Sequence, residues 1–433
     1  MPKTAVFVTL RYGDYYTPAF LQQQKRLHGL RIVLVTDEAS VDAIPIGARE
    51  AIDVLHVLPG TRSHGMQTVF SVEDLQRVIE TERATFPGRD VRVVCCCEFN
   101  LMAVGEVRRR LRLPGPDDVE LARFRDKLVM KDRVTRCGLR APHFTSVKAE
   151  AIRDGKVNFD WLARRLGSPF VVKPIDAAGS VGVSVVASQE QLWACVARSM
   201  AYEVLEAEEF ISGPLFHVDS VVQDGRALLH TVSEYTCPNL DFVGGRTLGS
   251  INLPAAAPQA RQLAVFADAV LNALAPSSLS THMEVFITGG EPVFLEVGGR
   301  PPGAAVCKAH LVGSGARYMN MDFQLQMGLP IDLPTEKERF AVWGYVPRRG
   351  GEVLRCEAPA LECGHETQWR VRPGDRLQAA NNLADWAGAV VASDSDYGKV
   401  RRDFERLREF EGLRMVDAMP CDPTASARET VAV

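Results

Sequence analysis

The sequence predicts an α/β protein built from several domains. Its 433 residues, of which 46% are hydrophobic, can bury the cores of roughly two to four domains. In the N-terminal quarter, apolar strand-like runs alternate with amphipathic segments, which is typical of parallel strands joined by crossover helices. Further along, pairs of strand-like runs are separated by short glycine-containing turns, which indicates antiparallel hairpins.

The N-terminal part carries the clearest strand and helix alternation. Ligands of open parallel sheets gather at the carboxyl ends of the strands, which makes Arg11 and Glu98 candidate wall residues of a site. A surface or turn role is the alternative for both residues. The predicted elements are strands 4–10, 31–36, 54–58 and 91–97 and helices 18–28 and 72–85.

Composition excludes several classes of partner. The net charge is −4 and no basic run is present, so we expect neither nucleic acid nor a membrane surface as the main partner. The apolar run 1–10 is too short for a signal-peptide core or a bilayer span, which predicts a cytoplasmic protein. Ten cysteines include no CxxC pair, and the adjacent Cys95, Cys96 and Cys97 would point to alternate faces of a strand, so buried thiols are favoured over a metal site.

A linking helix and a second compact unit follow. The pattern 121–136 predicts a helix that places Lys127 and Lys131 one turn apart on one face and ends near Gly138. The compact unit covers residues 141–213. Its predicted elements are helix 160–166, strand 170–173, strand 183–186, helix 189–202 and strand 208–211.

The rest of the chain is predicted to be richer in antiparallel strands. Strands 216–222 and 228–234 are joined by a turn at Asp224 and Gly225, and helix 259–274 precedes strands 281–287 and 292–296, which are joined by Gly289 and Gly290. A smaller strand-rich unit begins near residue 340 and ends in helix 399–410. The predicted division of the chain is 1–115, 116–140, 141–213, 214–335 and 336–433.

The first chemical signal is a lysine at a strand end before a loop of small residues. Lys173 closes the run 170–173, and the loop 176–183 contains Gly179, Ser180 and Gly182. Small residues let successive backbone N–H groups approach phosphate oxygens, and a lysine adds a fixed positive charge. This pattern indicates a phosphate site, with an ordinary glycine-containing hairpin as the equally weighted alternative.

A pair of glutamates gives the second signal. Strand alternation places His282, Glu284 and Phe286 on one face, and a hairpin through Gly289 and Gly290 would bring Glu284 towards Glu296. Two converging carboxylates repel each other, and a magnesium ion between them relieves that repulsion. Exposed glutamates in salt bridges are the alternative. The turn that follows Glu296 carries Arg300, which could point back at the same site.

These segments together resemble the ATP-grasp superfamily of carboxylate–amine ligases. The resemblance rests on Phe170-Val171-Val172-Lys173-Pro174 with its glycine-rich loop, on 208–213, and on the series Glu284, Glu296 and Arg300. It implies an α/β ATP-grasp fold with a Rossmann-like N-terminal domain, a small lid, a catalytic subdomain and a strand-rich C-terminal unit. His217-Val218-Asp219 and Arg300-Pro301-Pro302-Gly303 are most similar to the amino-acid and peptide-forming branch.

The resemblance implies a role for each matching residue. Lys127 and Lys173 would bind the ATP phosphates, and the loop with Gly179, Ser180 and Gly182 would cover them. Glu208 and the backbone of Phe210 and Ile211 would meet the adenine. Glu284 and Glu296 would hold magnesium, and Arg300 would face the transferred phosphoryl group with a planar charged fork. A turn at Gly303, if it opens a helix at Ala304, would offer backbone donors to a substrate carboxylate.

Two positions depart from the family pattern. Leu215 stands where many members carry a ribose-binding glutamate, which leaves Asp219 or His217 as guesses for the ribose. Gly298 stands where an asparagine often adds a metal ligand. His282 is a candidate substrate contact, and a hydrogen-bonded structural histidine is the favoured alternative.

The predicted activity is therefore ATP- and Mg-dependent joining of a small-molecule carboxylate to an amine through an acyl phosphate, with release of ADP and phosphate. Two rivals remain: a carboxylase-like or purine-pathway member of the superfamily, and a nucleotide-binding regulator without turnover. A homodimer is the expectation for an enzyme of this size.

Overall fold

The computed structural model describes residues 1–9, 16–42, 44, 46–63, 67–177, 179–199, 202–335 and 339–416. The candidate Arg11 lies outside these residues. Within them, no helix combines the length and the apolar character that crossing a bilayer requires.

The N-terminal part is an open parallel sheet flanked by helices, as predicted. Strands β3, β2, β1 and β6 lie side by side in that order and run parallel, while β4 and β5 form a separate antiparallel pair. The strands are β1 (Lys3–Val8), β2 (Arg31–Thr36), β3 (Val54–Val57), β4 (Thr61–Ser63), β5 (Gln67–Val69) and β6 (Asp90–Val94). The helices are α1 (Pro18–His28), α2 (Glu38–Val41), α3 (Ile46–Ala51), α4 (Val72–Thr85) and α5 (Leu101–Leu111).

Strand β6 ends earlier than predicted, at Val94. The adjacent Cys95, Cys96 and Cys97 therefore lie beyond the strand, where all three are buried. The nine cysteines that the structure describes form no disulfide, and all but the exposed Cys137 and the half-buried Cys356 are buried. A short 3-10 turn, Glu98–Asn100, follows and places Glu98 at the carboxyl edge of the sheet.

The predicted helix 121–136 is wrong as a single element. It is divided into α6 (Asp118–Leu121), a 3-10 turn at Ala122–Phe124, and α7 (Lys127–Arg136). The break occurs because the Asp126 carboxylate accepts the N–H groups of Leu128 and Val129, which starts a new helix at Lys127.

The second unit is a four-stranded antiparallel sheet, in the order β7-β10-β8-β9, covered by helices. Its elements are β7 (Phe144–Lys148), α8 (Ala149–Arg153), α9 (Phe159–Leu166), β8 (Phe170–Pro174), β9 (Ser184–Val186), α10 (Gln189–Arg198) and β10 (Val204–Glu209). The predicted strand 208–211 is thus shifted towards the N-terminus. Pairing with β8 decides this, because the ladder stops where Glu209 meets Phe170, the first residue of β8.

The large sheet has eight strands, in the order β15-β14-β11-β12-β13-β16-β20-β18. A second, three-stranded sheet has the order β19-β17-β21. The strands are β11 (Leu215–Gln223), β12 (Arg226–Tyr235), β13 (Leu248–Asn252), β14 (Leu279–Thr288), β15 (Glu291–Gly298), β16 (Phe340–Pro347), β17 (Gly351–Cys356), β18 (Gly364–Trp369), β19 (Arg376–Leu377), β20 (Trp386–Asp394) and β21 (Leu413–Val416). The helices are α11 (Asn239–Val243), α12 (Pro258–Leu274), α13 (Val306–Val312), α14 (Tyr318–Met327) and α15 (Tyr397–Arg408).

The strand-rich C-terminal unit is continuous with the large sheet. Strand β16 pairs with β13, and β20 and β18 extend the sheet beyond it. The predicted final helix is not the last element of this unit. Strand β21 follows α15 and pairs with β17. The domain boundaries proposed from the sequence stay predictions.

The two faces of the large sheet have different roles. Met283 and Val285 pack into an apolar core with residues of α12 such as Leu263 and Val270. The alternate residues His282, Glu284 and Phe286 of the same strand line a cavity on the opposite face. The predicted alternation along this strand is confirmed, and it places polar groups on the cavity side.

Candidate active site

A single large cavity gathers nearly all of the residues that the sequence singled out. Its volume is about 1030 Å³, and it is lined by the four-stranded unit, the large sheet and residues of the N-terminal part such as Glu98 and Phe99. The lining includes the predicted residues Lys127, Lys173, Gly179, Ser180, Glu208, Phe210, Ile211, His282, Glu284, Glu296, Arg300 and Gly303. Gly182 is not among the lining residues. A Cβ at Gly182, which has φ +72°, would lie 2.9 Å from the Pro174 side chain, so this glycine allows the loop to pack on the end of β8.

Glu284 and Glu296 face each other across the hairpin of β14 and β15. They are direct partners in the antiparallel register, and the turn between the strands places Gly289 and Gly290 at φ 60° and 87°. Such φ values are those of the tight hairpin turns that favour glycine. The register shifts just after Glu284, where Val285 pairs with Phe294 and Leu295 is the extra residue. This bulge sits beside the two carboxylates.

Hydrogen bonds fix one oxygen of Glu284. Its Oε1 accepts from the Tyr235 hydroxyl at 3.1 Å and from Asn239 Nδ2 at 2.7 Å. Burial opposes ionisation of Glu284, but the charge of His282 and these hydrogen bonds outweigh it and lower the pKa of the carboxyl. Glu284 Oε2 has no hydrogen-bond donor among the described residues, so it is available to a ligand in the cavity.

The two predicted phosphate lysines both line the cavity. Lys127 Nζ donates to the Ala177 carbonyl at 2.7 Å and lies 3.6 Å from Glu296 Oε2. Lys173 Nζ lies 2.6 Å from Glu208 Oε1. Burial disfavours the charge of Lys173, but the neighbouring Glu208 and Glu206 outweigh it and raise the pKa of the lysine. Lys173 is therefore charged at neutral pH, and Lys127 lies beside Glu296 of the glutamate pair.

Arg300 reaches the cavity wall and pairs with a residue of the N-terminal part. Its Nε donates to Glu98 Oε2 at 2.6 Å, and Arg125 Nη1 donates to Glu98 Oε1 at 3.0 Å. Burial opposes ionisation of Glu98, yet the two arginines outweigh it and lower its pKa to about 2. Glu98, a candidate wall residue by sequence, thus lines the cavity and holds the arginine that the sequence predicted.

A buried histidine cluster surrounds Asp219 beneath the glutamate pair. Asp219 Oδ1 lies 2.6 Å from His282 Nδ1, and Oδ2 lies 2.8 Å from His217 Nδ1 and 2.6 Å from His310 Nε2. These are hydrogen-bond separations. The Asp219 carboxylate is thus the centre of a hydrogen-bonded network in this structure.

The guess that Asp219 or His217 binds the ribose is wrong. Both side chains are fully buried and neither lines the cavity, because they are partners of each other and of the neighbouring histidines. His282 does line the cavity, but its Nδ1 is bound to Asp219 and its Nε2 lies 3.4 Å from the Tyr235 hydroxyl. Burial alone would lower the pKa of His282, and Asp219 raises it to about 9. These contacts favour the structural role for His282.

The remaining predicted residues lie at the rim of the cavity. Phe210 and Ile211 follow the end of β10, and Leu215 lines the cavity at the position where the family pattern has a ribose-binding glutamate. The helix predicted to open at Ala304 begins two residues later, at Val306, because Ala304 has φ 50° and cannot be part of a right-handed helix. Gly303 lines the cavity just before this bend.

Several cavity residues were not found from the sequence. Tyr235 and Asn239 fix Glu284, and the C-terminal unit supplies an aromatic wall, in which the Tyr345 and Trp386 rings stack with centroids 4.6 Å apart. Arg370 lies over the Trp386 ring at 3.3 Å. No local motif marks these residues, because strand pairing brings them to the cavity from distant parts of the chain.

The structure has the ATP-grasp fold, which is the class of fold predicted from the sequence. It superposes on the crystal structure of the L-amino acid ligase from Bacillus licheniformis with a TM-score of 0.72, covering 96% of this chain and 98% of that chain at 18% identity. An identity this low supports the fold alone.

Sequence comparison places the chain next to carboxylate–amine ligases of this class. Residues 134–244 match the family described as D-ala D-ala ligase C-terminus. The chain is 33% identical over 101 residues to a D-alanine--D-alanine ligase of Geobacillus thermodenitrificans, which is 23% of this chain and 28% of that protein. It is 23% identical over 224 residues to an L-arginine-specific L-amino acid ligase of Bacillus subtilis, which is 50% of this chain and 52% of that protein. The aligned regions thus span about half or less of these relatives, and the predicted resemblance to ATP-grasp carboxylate–amine ligases is confirmed.

Proposed function

We propose that this protein is an ATP-dependent ligase that joins a small-molecule carboxylate to an amine through an acyl phosphate and releases ADP and phosphate. The observation that carries the proposal is the direct pairing of Glu284 with Glu296 in a cavity that also holds Lys127, Lys173 and Arg300. Two carboxylates facing two lysines and an arginine suit a metal-bound triphosphate and a developing acyl phosphate.

The glutamate pair fits magnesium. Carboxylate oxygens are the protein ligands that this ion prefers, and it commonly uses one or two of them together with phosphate and water. Glu284 offers its Oε2, while Glu296 is half-buried and open to the cavity. Gly298 adds no side chain at the position where an asparagine ligand was expected, so the proposed site has two protein ligands. Bound there, magnesium would neutralise charge on the transferred phosphoryl group.

The chemistry that we propose has two steps. An oxygen of the substrate carboxylate attacks the γ-phosphorus of ATP, and the bond to ADP breaks. The amine nitrogen then attacks the acyl carbon, loses a proton and expels phosphate. Lys127 and Lys173 would hold phosphate oxygens, and Arg300, oriented by Glu98, would place its charge at the acyl phosphate.

The four-stranded unit would act as a lid. Gly179 and Ser180 line the cavity above the lysines, and the backbone N–H of Leu383 in the C-terminal unit donates to the Gly179 carbonyl at 3.4 Å. Closure of the lid would keep water from an acyl phosphate that it would otherwise hydrolyse. Glu208, Phe210 and Ile211 are the residues that we propose beside the adenine.

Amino acids are the substrates that we propose first, because the relatives are named as ligases of D-alanine and of L-amino acids. The decisive experiment incubates the protein with Mg-ATP and pairs of amino acids or small organic acids and measures ADP release together with amide product. ADP release that depends on an acid and an amine together supports the proposal. Stimulation of ATP hydrolysis by bicarbonate alone would favour the carboxylase-like rival, and binding of ATP without turnover across the panel would favour the regulator.

A further inference from the structure

A buried cluster of four charges lies at the wall of the cavity. It consists of Lys131, Lys173, Glu206 and Glu208. Lys131 Nζ is 2.6 Å from Glu206 Oε1 and also contacts Glu208 Oε2, while Lys173 Nζ is 2.6 Å from Glu208 Oε1 and 3.8 Å from Glu206 Oε2. The two positive and two negative charges balance, which is what a buried ionic cluster requires.

The two lysines differ in what they can reach. The Lys131 side chain is 0% exposed, so it cannot contact a molecule in the cavity. Lys173 lines the cavity and sits directly opposite Glu206 in the pairing of β8 with β10. Glu206 and Glu208 are two residues apart on β10, so both carboxylates point to the same face of the sheet. Lys131 therefore touches both carboxylates from the side away from the ligand.

Nucleotide binding would disturb this balance. In the structure, the Lys173 ammonium is paired with Glu208. If it turns from that carboxylate towards a phosphate in the cavity, two buried carboxylates remain with Lys131 as their counter-charge. Glu206 Oε2 is buried, has no hydrogen-bond partner among the described residues, and lies 3.8 Å from Lys173 Nζ. Its negative charge therefore also attracts the Lys173 ammonium.

We propose that Lys131 is a positioning residue for nucleotide binding: it neutralises Glu206 and Glu208 so that Lys173 is released to a nucleotide phosphate. This inference rests on the proposed function of the cavity. It does not require Lys131 to touch the nucleotide, the magnesium or the substrates. Without the Lys131 charge, both carboxylates would hold Lys173, because opposite charges within 4 Å attract strongly at the effective dielectric of a protein site.

Direct binding tests the proposal. The dissociation constant of ADP in the presence of Mg²⁺ is measured by isothermal titration calorimetry for the wild-type protein, Lys131→Met, Lys131→Arg, Glu206→Gln and the double variant Lys131→Met/Glu206→Gln. We expect Lys131→Met to weaken binding at least about tenfold, since Lys173 must leave two unneutralised carboxylates. Lys131→Arg keeps the charge and should remain within about threefold of the wild type.

The double variant separates charge from packing. The double variant loses one positive charge with Lys131→Met and one negative charge with Glu206→Gln. After Lys173 turns away, the remaining cluster therefore has the same net charge as in the wild type. We expect the double variant to bind ADP within about threefold of the wild type. Glu206→Gln alone removes one attraction on Lys173 and should bind ADP as tightly as the wild type or more tightly. A merely structural role for Lys131 would give no such recovery, because the double variant loses more contacts than the single variant.

Each outcome decides the proposal. Wild-type affinity in Lys131→Met, or a double variant as weak as the single variant, would overturn it. Circular dichroism shows whether Lys131→Met folds. If it does not fold, the ADP affinity of Glu206→Gln tests the inference instead, and clearly weaker binding by Glu206→Gln than by the wild type would overturn it. A wild-type protein that binds no nucleotide would instead contradict the proposed function itself, and the inference with it.

Discussion

Arg300 and Glu98 form an ion pair at the cavity wall although they are 202 residues apart in the chain. The Arg300 Nε donates to Glu98 Oε2 at 2.6 Å, and Arg125 donates to the other oxygen of the same carboxylate. Glu98 comes from the carboxyl edge of the N-terminal sheet, and Arg300 follows the last strand of the glutamate hairpin. One ion-pair network thus ties the N-terminal part to the large sheet at the cavity wall.

The first prediction concerns the stability that this network provides. Glu98→Gln should lower the free energy of unfolding by about 3 kcal/mol at neutral pH, because it leaves two arginines without their buried counter-charge. The folded pKa of Glu98, about 2, lies below its ordinary value of 4.5. Its stabilising effect is therefore complete above about pH 4.5 and is lost as pH falls towards 2. Urea unfolding of both proteins across this range measures the difference.

The matched control is Glu73→Gln, which changes a glutamate whose side chain is 66% exposed in its pair with Arg110. We expect a change of under about 0.5 kcal/mol for it. If the difference between the wild type and Glu98→Gln stays constant from pH 7 down to pH 3, the assignment of the pKa to Glu98 is wrong.

The second prediction concerns the proposed metal pair. Glu284→Gln and Glu296→Gln should each lower turnover at least about a hundredfold, because each removes charge that holds the metal at the transferred phosphate. Turnover is measured as ADP release with the best acid and amine pair. Glu291→Gln, on the exposed end of the same hairpin, is the control and should leave turnover unchanged. Near-normal activity in both substituted proteins would exclude this pair from the site.

The third prediction concerns the glycine-rich loop. Amide exchange in the peptide 176–183 should be fast in the free protein and slow with Mg²⁺ and a non-hydrolysable ATP analogue, since phosphate oxygens would bind its N–H groups. Hydrogen-exchange mass spectrometry measures the change. The peptide that contains β8 is the internal control, because its strand hydrogen bonds already protect it. Equal exchange with and without the nucleotide would speak against a role of this loop as a phosphate cover.

The fourth prediction distinguishes attack at the γ-phosphate from attack at the α-phosphate. The charged groups of the cavity should stabilise transfer of the outer phosphate; they are Lys127, Lys173, Arg300 and the glutamate pair. The products should therefore be ADP and phosphate. With an ¹⁸O-labelled acid, the label should pass into the released phosphate, and hydroxylamine should trap the acyl group as a hydroxamate when no amine is added. AMP and pyrophosphate, with the label in AMP, would contradict the proposed mechanism.

Local pattern was sufficient for most of the elements and for the motif residues. Helices Pro18–His28 and Val72–Thr85 and strand Arg31–Thr36 have the predicted bounds, because caps and apolar periodicity are encoded within the segments themselves. The pairing of Glu284 with Glu296 followed from strand alternation and a two-glycine turn, which are also local. Errors occurred where a neighbour decided the outcome, as at β10, whose end is set by its pairing with β8.

Patterns within a few residues are enough to indicate the class of fold, the alternation that turns Glu284 to the cavity, and the residue types suited to phosphate and magnesium. Three contacts appear only in the folded chain: Glu98 holds Arg300, three histidines enclose Asp219, and Lys131 joins Glu206 and Glu208 beside Lys173. The difference lies in the range of the interactions. Periodicity and turn chemistry act within a few residues, whereas a buried charge must find its counter-charge wherever packing places it, and no local pattern records that partner.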